Sequence, residues 1–97
     1  MIHMKVTKAS QVKKFTDIPN VGKAMEADFI LLGIKNPKNL IGKDPFVLYK
    51  KICKVTGQRQ DPCVLDTYMS VTEFMNGTKA QPWWYYTKAR KKKYPKI

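Results

Sequence analysis

The chain has few of the residues that carry chemistry. Its one histidine, His3, lies near the start, and its two cysteines, Cys53 and Cys63, stand ten apart with no CxxC pair. A structural zinc site takes about four soft ligands, more than this set supplies. One terminal histidine cannot complete a Ser-His-acid or Cys-His arrangement either. Asp44 and Asp61 are each followed by proline and read as helix caps rather than acid–base groups. The expectation is a non-enzymatic protein with no catalytic residue, metal or cofactor. The cysteines read as small buried apolar residues of a reducing compartment, and their spacing leaves a bridge between them open.

Long apolar runs are missing as well. No stretch reaches eighteen apolar residues, so no membrane span is expected. The start Met1-Ile2-His3-Met4-Lys5-Val6 is too short and too soon charged for a secretory core. The location these features predict is cytoplasmic. Sustained period-2 alternation is absent, which disfavours strands. Acids are also scarce, 7 Asp+Glu against 19 Lys+Arg, a net charge of +12 over 97 residues. That surplus points to a polyanionic partner.

What is present is a series of short helical patterns separated by turn signals. Residues 1–9 lack periodicity and read as a flexible arm. Ser10 is a candidate N-cap for a first helix reaching Thr16, with Val12, Phe15 and Ile18 forming one apolar stripe. A second helix runs from about Lys23 to Leu32 and ends at Gly33. With Ala24, Ala27, Leu31 and Ile34 on one face, it is expected to be the most buried. Pro37 opens at most a short helix before Gly42. Asp44-Pro45 and Asp61-Pro62 each launch a longer one, stopped at Gly57 and Gly77. Val64, Leu65, Tyr68, Val71 and Met75 form the apolar face of the latter. Pro82 opens a last segment through Arg90. The prediction is an all-α, compact bundle of five or six short helices over 10–87, followed by a basic tail at 88–97. Six of the 19 Lys+Arg, Lys88, Arg90, Lys91, Lys92, Lys93 and Lys96, fall in that tail with no acid among them, and such a run is expected to be poorly ordered.

The pivot of the chain is Ile18-Pro19-Asn20-Val21-Gly22-Lys23. Pro19 stops what precedes it, Asn20 and Gly22 tolerate positive φ, and a helix begins at once. Free backbone N–H groups at such a start suit an anion, and Lys23 makes phosphate the natural one. These residues resemble the helix-hairpin-helix motif, hydrophobic-Pro-Gly-hydrophobic-Gly, with Ala27 in its small position and Asn20 standing where the first glycine is usual. A longer set resembles the small bacterial helix-hairpin-helix proteins of the pathogenicity-locus family. It adds Gly33-Ile34, Leu40, Gly42, Asp44-Pro45, Leu48-Tyr49, Thr56-Gly57, Asp61, Cys63-Val64-Leu65 and Trp83-Trp84. The resemblance spans about residues 12–86 and implies a compact helical domain that binds DNA. The lysine-rich tail extends beyond it.

The functional expectation is non-specific, backbone-directed binding of double-stranded DNA. Asn20, Val21, Gly22 and Lys23 would contact phosphates with Lys13 and Lys14 flanking them, while Lys88, Arg90, Lys91, Lys92 and Lys93 act as an electrostatic clamp. A protein-interaction module and RNA binding remain the alternatives. Trp83-Trp84-Tyr85-Tyr86 is open to two readings, a stacking platform for bases or, the favoured one, an anchor of the C-terminal segment on the core.

Overall fold

The computed structural model describes residues 5–97 and builds them from four α-helices: α1 (Lys23–Leu31), α2 (Pro45–Thr56), α3 (Pro62–Met75) and α4 (Thr87–Lys93). Single 3₁₀ turns occupy Ala9–Gln11, Phe15–Asp17, Pro37–Leu40 and Trp83–Tyr86, and no strand occurs among the described residues. Residues 1–4 of the arm, with His3, lie outside the described residues.

The helix starts follow from aspartates placed before prolines. Asp44 Oδ1 accepts the Phe46 N–H at 2.9 Å and opens α2, which Gly57 closes at φ 71°. Asp61 Oδ1 does the same for Cys63 at 2.9 Å in α3, and these bonds hold its carboxyl below the ordinary value of 3.8. Beyond α1, Gly33 turns at φ 83° so that the Ile34 N–H reaches Phe29 O at 2.9 Å. Both cysteines are free, half-buried thiols, Cys53 packed against the core, and burial pushes the Cys63 thiol up.

Three expectations are corrected. The segment 10–16 is not an α-helix but two 3₁₀ turns with an extended Val12 (ψ 123°) between them. Side chains cap the backbone donors at the start of each turn. Gln11 Oε1 accepts from the Thr7 and Lys8 N–H groups, and Asp17 Oδ2 accepts from those of Lys13 and Lys14. Four α-helices, rather than five or six, are the result.

The second correction concerns the centre of the fold. Along α1 only Phe29 is buried, while Ala24, Ala27, Ile30 and Leu31 are exposed. The central helix is α3, buried over Leu65–Tyr68 and again over Ser70–Thr72, Phe74 and Met75. Thr67 and Thr72 survive burial because each finds a backbone partner, Thr67 Oγ1 donating to Cys63 O and Thr72 Oγ1 to Tyr68 O, both at 2.9 Å, whereas the buried Tyr68 hydroxyl has none. Phe15, Phe29 and Tyr68 stack inward with centroids 5.4 and 5.5 Å apart, tying the Phe15–Asp17 turn and α1 to α3.

The third is the tail. Residues 87–93 form α4, and beyond it Tyr94 stacks flat on Phe46 of α2, 4.3 Å between centroids. The radius of gyration, 12.8 Å, is close to the roughly 13 Å of a compact chain of this length.

Candidate nucleic-acid interface

The turn Ile18–Lys23 is built on two buried anchors. Ile18 and Val21 are sealed in the core, and the Val21 N–H donates to Ile18 O at 3.1 Å. That bond corrects one expectation, because the Val21 N–H is spent inside the turn and is not offered to a phosphate. Asn20 adopts φ 73°, the left-handed conformation its residue type tolerates. Its side chain faces inward, with Nδ2 donating to Ser70 Oγ at 2.9 Å and to Gln81 O at 2.8 Å. Lys5 braces the turn from its other end, donating to Val21 O at 2.6 Å and also to Thr16 O.

What the turn presents to solvent is Gly22, Lys23 and Ala24, all exposed. Gly22 is the N-cap of α1 and no side chain caps this helix start. The first N–H groups of the helix therefore face outward without an intrahelical partner. Gly22 has φ −106°, which any residue adopts, and a Cβ there would meet nothing within 4 Å. The fold does not demand glycine at 22; its missing side chain leaves room for an incoming group to reach the backbone.

Lys13 and Lys14 are exposed on the strand-like approach to the Phe15–Asp17 turn. In α4, Lys88, Lys91, Lys92 and Lys93 are exposed, but Arg90 is turned inward. Its Nε donates to Asp66 Oδ1 at 2.8 Å, beside a 2.7 Å bond from Thr87 Oγ1 to Asp66 Oδ2. The Asp66 hydrogen bond pushes the Arg90 pKa up. Arg90 is thus the residue that fastens the tail rather than part of its open charge.

Sequence reasoning missed Lys5, Asp66, Ser70 and Gln81. No local pattern marks them, since the bonds they make cross 16, 24, 50 and 61 residues. Their effect is to join the two basic elements of the chain. Gln81 O accepts from both Asn20 Nδ2 and Ser70 Oγ at 2.8 Å, so the segment leading into the aromatic run and α4 starts at the turn itself.

A family model described as pathogenicity locus matches residues 8–92. The chain is 39% identical over 84 residues to the mitomycin resistance protein McrB of Streptomyces lavendulae, covering 87% of this chain and 80% of that protein. No solved structure matches.

Proposed function

This chain belongs to the pathogenicity-locus family, and from that premise we propose that it is a non-enzymatic, non-specific DNA-binding domain. In this reading Ile18–Lys23 serves as the hairpin of a helix-hairpin-helix motif whose first arm is a pair of 3₁₀ turns. The N–H groups of Gly22, Lys23 and Ala24 receive a backbone phosphate and the Lys23 ammonium adds charge. Asn20 sets the conformation of the turn instead of touching DNA. Lys13 and Lys14, with Lys88, Lys91, Lys92 and Lys93, extend the electrostatic footprint.

The observation that carries the reading is the uncapped start of α1 behind a glycine that the fold does not need. The net charge of +12 supports it. Magnitude shows why the turn is not sufficient alone. Each phosphate neutralised contributes about −0.9 to the slope of log affinity against log salt, and non-specific binding lies near 10⁻⁴–10⁻⁶ M at physiological salt. Two or three contacts at one turn bind weakly, and the tail lysines supply the remainder.

Fluorescence anisotropy with duplex oligonucleotides of unrelated sequence, repeated at several salt concentrations, tests this directly. Binding should fall steeply with salt and vary little with sequence. Gly22→Ala should fold at least as stably as the native chain yet bind several-fold more weakly, and Lys23→Glu should weaken binding further. Absence of binding at low salt would sink the proposal. A second reading, a protein-interaction module, draws on one observation: Ile30 and Leu31 lie 59% and 55% exposed on α1. It requires Ile30→Ser to abolish binding of a protein partner without changing DNA affinity.

A further inference from the structure

The aromatic run is the part of the molecule that phosphate binding leaves unused. The 3₁₀ turn Trp83–Tyr86 is anchored by the Gln81 hydrogen bonds behind it and by half-buried Tyr86, while Trp83, Trp84 and Tyr85 are 36%, 63% and 61% exposed. Three large aromatic rings in a row on the surface of a small domain forgo burial that their neighbours achieve, which marks the patch as a contact surface. Its surroundings select the partner. Glu73 acts on Tyr86 and Asp66 is taken up by Thr87 and Arg90, while every exposed charged side chain after Glu73 is a lysine. The 3₁₀ turn runs straight into α4, so Trp84, Lys88 and Lys91 recur at four- and three-residue spacing along one helical run. An aromatic face bordered by lysines suits a base with its phosphates, because every base offers a π-face and the backbone supplies the negative charge.

We propose that Trp84 stacks on an unpaired base at the end of a duplex held by the Ile18–Lys23 turn, with Lys88 and Lys91 on the adjoining phosphates. The occupant is a single-stranded extension or frayed end, and the proposal rests on the nucleic-acid reading above. The two indoles meet edge to face, 5.6 Å between centroids at 86°, so they cannot both lie parallel to one base. Trp84, the more exposed, is the stacking ring, and Trp83 steadies it. The shared acceptor Gln81 O, bonded to Asn20 at 2.8 Å, places this ring three residues from a bond to the phosphate-binding turn. A protein that grips the backbone at one point and stacks a base at the next distinguishes a duplex with a single-stranded end from a blunt one.

The test compares a blunt duplex with the same duplex carrying a short single-stranded extension, by anisotropy, for the full chain and for Trp84→Ala and Trp84→Phe. The native chain should prefer the extended probe by roughly 5- to 150-fold, the range of one base–aromatic stack. The extension also adds phosphates, and Trp84→Ala separates the two effects: it should lose most of the preference while keeping its blunt-duplex affinity. Trp84→Phe should retain part of it, and native indole emission should be quenched only by the extended probe. Equal affinity for both probes, or an undiminished preference in Trp84→Ala, overturns the stacking proposal and leaves backbone binding standing. Failure of both probes to bind at low salt overturns both. A partner protein that binds the native chain but not Trp84→Ala, with DNA affinities unchanged, would reassign the patch to protein.

Discussion

Asn20 combines two properties, a backbone that tolerates the left-handed region and a side-chain donor. Glycine matches its φ of 73° but cannot donate, and alanine does neither. Its two bonds, to Ser70 Oγ and Gln81 O, are the link between the turn and the C-terminal third of the chain. Net hydrogen-bond contributions of about 0.5–1.5 kcal/mol each imply that Asn20→Gly costs about 1–3 kcal/mol. Asn20→Ala should cost about 1 kcal/mol more, because a Cβ is strained in the left-handed region. Urea unfolding should rank the native chain first, Asn20→Gly second and Asn20→Ala third. Equal midpoints for the native chain and Asn20→Gly would mean that the tether contributes nothing to stability.

Among the elements, α4 depends most on its neighbours. Seven residues are too few for a helix to persist alone in water, and Lys88, Lys91 and Lys92 repel one another across its turns. Asp66 holds it by receiving Thr87 and Arg90, which lie one turn apart on the same face. Phe46 receives the end of the tail through Tyr94. Asp66→Asn keeps the shape but removes the charge, and should cost about 1.5–3 kcal/mol, the range for hydrogen bonds to charged groups. The loss should be local at first: amides of 87–93 exchange faster and trypsin cuts at Lys88–Lys93, while α2 and α3 stay protected. Uniform loss of protection across all four helices would instead make Asp66 a determinant of the whole core.

At the scale of the molecule, the net charge of +12 acts in two directions. It raises affinity for any polyanion and, by self-repulsion, works against the compact state at low salt. The exposed lysines 91–93 lie on the solvent side of α4 with one ring contact, Lys93 Nζ 5.5 Å from the Tyr94 centroid, so most of their charge is separable from folding. Replacing all three by glutamine should leave the unfolding midpoint unchanged or raised. The same replacement should reduce the salt slope of DNA binding by about 0.9 for each phosphate that is no longer neutralised. An unchanged slope would remove the tail from the interface and leave the turn with Lys13 and Lys14.

The bounds of α1, α2 and α3 and the all-α class were legible from sequence, because caps, prolines and left-handed residues act within a few positions of themselves. Asp44-Pro45, Asp61-Pro62, Gly33 and Gly57 behave as their local chemistry dictates. The stripe Val12, Phe15, Ile18 is buried as its spacing requires, yet three-residue spacing fits a 3₁₀ turn as well as an α-helix, and side-chain acceptors decided for the former. Only the tertiary structure could make α3 the centre, since the polar Asp66, Thr67, Ser70 and Thr72 read as a solvent face until their partners are known. The same holds for the inward turn of Arg90 and for the bond from Asn20 to Gln81. Bonds across 24 and 61 residues leave no periodic trace, because they depend on which surfaces the helices bring together rather than on the residues beside them.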